Sequence, residues 1–200
     1  MSSVNQSPAP LTTRLVDAAA RLLLEQGPAG LSLRKVAAAV GVSTMPVYTL
    51  FGDKHGLLTA MYRDGFRRLG AALHEVSPSD DPLGDLIQLG VAYRRAALAS
   101  PNLYGLLFGR MVPEFTPDAE EQAAAHATYQ PLIDAVARCQ RAGILADGQP
   151  ERIALHLWAV AHGMVNLELN GQLPDLGAAE DLYAEALGYA GIPFLTHSGQ

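Results

Sequence analysis

Residues 31–51 read LSLRKVAAAVGVSTMPVYTLF, and the interpretation of the whole chain turns on them. Ser32 is placed to cap a helix that runs through Val40, Gly41 stops it, and Ser43 caps a second helix reaching about Phe51. Two short helices joined by so tight a turn have the layout of a helix-turn-helix. Ala37, Ala38 and Ala39 let the helices approach closely, while Val36, Val40, Val42, Val47 and Phe51 supply the apolar contacts that set their angle. At about 100° per residue Val47 and Phe51 share one face, and Thr44, Met45, Tyr48 and Thr49 fall in a separate arc. The first face packs and the second is left to read a partner. Pro46 lies in the first turn, where a missing N–H costs little.

Working outward, an earlier helix is expected to begin with Thr12 or Thr13 as N-cap, to carry the apolar stripe Leu15, Ala19, Leu22 and Leu23, and to end at Gly27-Pro28. Gly52-Asp53 closes the reading helix and caps a long fourth helix to about His74. EVSPSDDP, residues 75–82, has two prolines and three acids and reads as a connection. Later breaks leave room for five more helices near 83–99, 102–111, 118–142, 151–169 and 178–190. Runs of alternating β-branched residues are missing, so the chain is predicted to be all-α, with about nine helices. The expected division is a head at 1–55, the helix over 53–74 as connector, and a helical body at 75–200.

Composition suits this division. Two hundred residues, 49% of them hydrophobic, are enough for a substantial core. The net charge of −6 conceals an asymmetry: residues 1–70 hold eight Lys and Arg against four Asp and Glu, residues 71–200 six against sixteen. A basic front and an acidic rear fit a phosphate-binding head on a body that repels phosphate; unevenly scattered solvated charge is the bland alternative. MSSVNQSPAP at the start lacks the pattern of a signal peptide, and no run of eighteen apolar residues follows, so a soluble, cytoplasmic protein without a membrane partner is expected. The lone Cys139 cannot form an internal disulfide and reads as a plain helix thiol.

The pattern A-A-x-x-L-L-L-E-Q-G at 18–27, followed by LRKVAAAVGVSTMPVYTLFGDKHGLL at 33–58, resembles the N-terminal domain of the TetR family over about residues 11–66. The resemblance implies three helices forming a DNA-binding head, a fourth linking it to a helical body, and homodimers on a palindromic operator of double-stranded DNA. It places the third helix in the major groove, with Ser43, Thr44, Met45, Pro46, Tyr48 and Thr49 at or near contact positions and Arg34 and Lys54 on the DNA backbone. Backbone contacts of that kind set register without reading sequence. Tyr48 could instead be a core aromatic, but its place in the motif favours DNA. The chain departs from the family at Leu50, where many members carry histidine; leucine can only pack or touch a thymine methyl there.

LHLWAVAHGMVNLELNG at 155–171 is similar to the C-terminal domain of a TetR subfamily named for a W…HG signature. Such bodies imply a pocket for a small molecule and two helices for a dimer interface, so the resemblance makes 75–200 an effector-binding and dimerisation domain. Tyr104, Phe108, Met111, Tyr129, Trp158 and His162 are the candidate ligand-binding residues, and a small, mainly apolar effector is the implied ligand; most aromatic and Met residues at helical spacing must nonetheless be core. Leu157, Ala161, Val165, Leu182 and Leu187 are expected on the dimer face.

Other chemistry finds little footing. His156 and His162 are six apart, on different sides of a helix, and lack the spacing of a shared metal site. No hydrolase, metalloprotease, P-loop or dinucleotide fingerprint occurs, so neither enzyme activity nor a cofactor or metal is expected. Asp118, Glu120 and Glu121 read as a helix N-terminus complementing the dipole. The expected function is a transcriptional repressor released from its operator by a small-molecule effector. The alternative is a helical interaction module that binds protein or membrane.

Overall fold

The structure, a computed structural model, describes residues 9–109 and 112–196. Among them are ten α-helices, one short 3-10 turn and a single isolated antiparallel bridge between Leu145 and Leu195. The helices are α1 (Leu11–Gly30), α2 (Leu33–Val40), α3 (Thr44–Phe51), α4 (Lys54–His74), α5 (Pro82–Ala99), α6 (Pro101–Phe108), α7 (Ala119–Ala127), α8 (Gln130–Arg141), α9 (Pro150–Leu169) and α10 (Ala179–Gly191). The chain is all-α.

Three local expectations change on inspection. The cap of α1 is Pro10 rather than a threonine, and the Pro10 carbonyl accepts from the Arg14 amide at 3.1 Å. At its far end α1 kinks at Gly27, whose φ of 67° only glycine adopts cheaply, and Pro28 restarts one last turn to Gly30. The helix expected over 118–142 is two helices, α7 and α8. Pro131 explains the break: its ring clashes with the carbonyl four residues back and it has no N–H to give, so it is admitted only at a helix start.

The chain forms two compact units. The first comprises residues up to Gly65 together with Asn102–Gln122; the second comprises Phe66–Pro101 with the residues from Ala123 onward. α4 thus contributes its start to the first unit and its end to the second, and 102–122 folds with the N-terminal segment. In the first unit Leu15, Leu23, Val36, Val47, Leu57 and Met61 are wholly buried in one cluster with Leu103, Leu106 and Val112. Its α7 start carries a reciprocal capping box: the Glu121 amide donates to Asp118 and the Asp118 amide donates to Glu121, both at 2.8 Å.

In the second unit α5, α8, α9 and α10 pack around Val136, Cys139, Leu145, Ile153, Ala154 and Leu157. Two ion pairs tie these helices. Arg94 of α5 grips Glu168 of α9 with two bonds, at 2.8 and 2.6 Å, and Arg138 of α8 donates to Asp85 of α5 at 2.6 Å. Hydrogen bonds from Ser79, with that from Arg138, hold the Asp85 carboxyl below the usual carboxylate range. Leu157, Ala161 and Val165, expected on a dimer face, are buried within the protomer. They sit on the side of α9 that packs on its own neighbours, and the exposed apolar side chains of α9 are instead Leu155 and Leu167.

Candidate nucleic-acid interface

The turn of the helix-turn-helix is built by hydrogen bonds that the sequence dictates. Gly41 takes the left-handed conformation, with φ 74° and ψ 34°. Its amide donates to Ala38 at 3.1 Å and the Val42 amide donates to Ala37 at 3.0 Å, so two of the last carbonyls of α2 are satisfied in a Schellman turn. Arg14 of α1 adds a charged donor, its guanidinium lying 3.1 Å from the Val40 carbonyl at the negative end of α2. Ser32 caps the start of α2, accepting from the Lys35 amide at 3.3 Å.

α3 behaves differently at its start. Ser43 occupies the cap position but its side chain takes no capping hydrogen bond. One of the two amides a serine cap draws on is missing, because the third residue of the helix is Pro46, and Ser43 does not accept from the other, that of Met45. The Ser43 hydroxyl is therefore left at the exposed surface beside Thr44 and Met45.

Along α3, Val47 is fully buried and Phe51 nearly so, which seats the helix in the first unit. Thr44, Met45, Tyr48 and Thr49 are exposed, Met45 at 73% and Tyr48 at 46%, and Pro46 is half-buried. The Thr49 hydroxyl donates back to the Met45 carbonyl at 3.0 Å. Tyr48 is thus no core aromatic. Leu50 is 46% exposed, which rules out full packing at that position.

The two backbone-contact candidates differ. Arg34 is exposed in the first turn of α2. Lys54, opening α4, donates to the Pro28 carbonyl at 2.6 Å and lies 3.8 Å from Glu114, so one of its three N–H donors ties α4 to the kink of α1. Asp53 caps α4 through the Gly56 amide at 2.9 Å. Gly56 is required by the close approach: a Cβ there would stand 2.0 Å from the Phe51 carbonyl oxygen.

The ligand-binding candidates do not form one set. Tyr104 and Phe108 belong to the first unit, with ring centres 4.8 Å apart and Tyr104 buried. Met111 lies outside the described residues. Tyr129, Trp158 and His162 belong to the second unit and do come together, the Trp158 ring lying 5.8 Å from Tyr129 and 5.6 Å from His162.

Around His162 runs a polar chain that also takes in Trp158 and two residues outside the candidate set, Tyr93 and Asn166. Asn166, one turn on, places its amide nitrogen 2.9 Å from His162 Nε2 and 2.9 Å from the His162 carbonyl. An amide nitrogen only donates, so Nε2 accepts; turning the amide over would set two oxygens together. The imidazole proton then sits on Nδ1, 3.1 Å from the Tyr93 hydroxyl oxygen, which also accepts from the Trp158 indole at 3.2 Å. A second proton on the ring would face the Asn166 amide nitrogen. Burial pushes the His162 pKa down in the same direction, so the imidazole is held neutral. Among the described residues no three His, Cys, Asp or Glu side chains gather as a metal site, and no helix is long and apolar enough to cross a membrane.

A small helical unit in which a Schellman turn aims one short helix outward, packed on one side and exposed on the other, defines a helix-turn-helix DNA-binding protein. The family profile described as "Bacterial regulatory proteins, tetR family" matches residues 15–61, and that described as "Tetracyclin repressor-like, C-terminal domain" matches 86–188, more than half of the chain. The chain belongs to the TetR family of transcriptional regulators. It is 25% identical over 191 residues to an HTH-type transcriptional regulator of Mycobacterium tuberculosis strain H37Rv, covering 81% of this chain and 82% of that one. A protein of unknown function from Rhodococcus sp. RHA1 superposes with a TM-score of 0.79 at 28% identity, covering 97% of this chain and all of its own. AibR, solved in complex with isovaleryl coenzyme A and operator DNA, shares the fold, with a TM-score of 0.69 at 20% identity over 90% of this chain and 96% of that one.

Proposed function

We propose that the chain is a homodimeric repressor that holds a palindromic operator through α3 and releases it when a small, mainly apolar effector binds the C-terminal part. It acts in the cytoplasm and catalyses no reaction. The observation that carries this reading is α3 itself: Val47 and Phe51 anchor it while Thr44, Met45, Tyr48 and Thr49 stand in the open. Ser43 and Pro46 complete the reading face, and Arg34 and Lys54 neutralise phosphate at its edges.

Release follows from geometry and linkage. Two α3 helices must sit about 34–36 Å apart to meet successive major grooves, so a small tilt spoils register. α4 is one continuous helix with residues in both units, which makes it the natural lever. For the effector, Tyr129, Trp158 and His162 offer aromatic surface with one polar edge, and Tyr104, Phe108 and Met111 remain candidates. AibR, of the same fold, was solved in complex with isovaleryl coenzyme A and operator DNA, which supports ligand and DNA binding within this fold.

Selection of genomic fragments by the purified protein, followed by sequencing, tests the DNA reading. A single inverted repeat should be enriched; fragments without a shared sequence would contradict it. Calorimetry of a bound effector with and without saturating operator tests release, because reciprocity demands that DNA weaken the effector by the factor by which the effector weakens DNA.

A further inference from the structure

We infer that α3 reads its operator chiefly through the 5-methyl groups of thymine, with Met45 as the specificity-determining residue. The inference rests on the DNA-binding reading above and deepens it.

The residue inventory of α3 sets the problem. TMPVYTLF contains no Arg, Lys, His, Asn, Gln, Asp or Glu. Those are the side chains that pair with a guanine, adenine or cytosine edge in the major groove, the first two bases through paired bonds to one side chain. None is available on this helix. What it presents are hydroxyls, a phenol and exposed apolar groups. One hydroxyl is already half committed, since Thr49 spends its proton on the Met45 carbonyl at 3.0 Å and retains only the capacity to accept.

Among the apolar groups, Met45 stands out by exposure and by position. It is 73% exposed, more than any other large apolar side chain of α3, although Val47 and Phe51 two and six residues on are buried. On the helix it lies about 60° from Tyr48 and about 40° from Thr49, in the middle of the exposed arc. Leu50 is about 140° away from it, on the margin next to the packed face, and so cannot reach the same bases. In the major groove the only apolar feature of the four base pairs is the thymine methyl. A thioether on three rotatable bonds adapts readily to such a methyl and loses contact with water in doing so. Affinity without sequence preference comes from elsewhere on the head, from the exposed Arg34 and from Lys54.

The test uses the full-length protein and the duplex recovered by genomic selection. Each thymine of one half-site is replaced in turn by deoxyuridine, which removes the methyl and leaves every hydrogen-bonding group in place. At fixed salt, one or two positions per half-site should lose about threefold to fivefold in affinity, the worth of one buried methyl-sized group. A 5-methylcytosine–guanine pair at those positions should bind better than the unmethylated cytosine–guanine pair. Met45→Ala, at an exposed site and with an unchanged melting temperature, should bind thymine and uracil duplexes alike, while Leu50→Ala should retain the discrimination. Uracil duplexes bound as tightly as thymine ones at every position, or discrimination that survives Met45→Ala, would overturn the inference while leaving DNA binding intact. Failure to bind any duplex even at low salt would instead overturn the DNA-binding reading, and the methyl readout with it.

Discussion

Lys54 and Tyr48 are both placed by the family pattern near DNA, yet the structure gives them different obligations. Tyr48 is exposed and contributes nothing to the core, so Tyr48→Ala should leave the melting temperature unchanged and weaken operator binding by about 1–3 kcal/mol. Lys54 holds the Pro28 carbonyl. Lys54→Ala should therefore lower the melting temperature, and if its remaining donors meet phosphate it should also lower the salt slope of DNA binding by about one. A lower melting temperature with an unchanged slope would confine Lys54 to tying α4 to α1. Serine at position 43 teaches a related lesson. Its place as a cap was legible by residue type, but its side chain makes no capping hydrogen bond, and of the two amides within a cap's reach the one at Pro46 does not exist.

His162 carries the pH prediction. Burial lowers its folded pKa, whereas an unfolded chain binds a proton near 6.5. Between the lowered value and 6.5 the unfolded state holds more protons, so stability is complete above about pH 6.5 and falls as the pH drops through that window. His162→Gln should flatten this dependence when thermal unfolding is followed from pH 7.5 down to 5. An unchanged profile would show that the imidazole is not held neutral. The network itself was not legible, because Tyr93 stands 69 residues from His162 in the chain. Asn166, one helical turn away within the W…HG stretch, was the available signal.

At the scale of elements, the helix-turn-helix was readable because its instructions are local: the serine cap at Ser32, a left-handed glycine and an alternation of packed and exposed positions; of the three alanines expected at the helix contact, only Ala37 is buried, and Ala38 and Ala39 are exposed. Gly41→Ala should cost about 1 kcal/mol from the left-handed backbone alone. For a chain of this size that is about 2–4 °C of melting temperature. Gly56→Ala should cost more, since its methyl would strike the Phe51 carbonyl and force α3 and α4 apart; DNA affinity should fall along with stability. Equal, small losses for both would contradict the close approach at Gly56. The break between α7 and α8 was missed because apolar periodicity continues across it. Pro131 was the visible sign, being unable to extend the preceding helix.

At the scale of the molecule, the apolar stripe on α9 was legible and its use was not. Burial inside a protomer and burial against a partner demand the same residue types, so Leu157, Ala161 and Val165 could not be assigned to one or the other by pattern. If α9 and α10 form the dimer interface, the exposed Leu155, Leu167 and Tyr189 are the side chains to cover. Light scattering should then give a mass near twice 21.2 kDa, and Leu155→Glu with Leu167→Glu should shift it toward that of the single chain. A single-chain mass for the unaltered protein while it binds a palindrome tightly would contradict the dimer. The charge asymmetry along the chain, basic over residues 1–70 and acidic over 71–200, belongs at this scale too and was legible directly.

The most direct test of the account is the affinity of the purified protein for its selected duplex as a function of salt. A regulator that neutralises phosphates through its helix-turn-helix must release counterions, so the logarithm of affinity should fall linearly and steeply with the logarithm of salt concentration. The same titration with Tyr48→Ala should show a weaker affinity throughout. A flat salt dependence, or affinity indifferent to Tyr48 and Met45, would contradict the assignment of α3 as the DNA-reading helix.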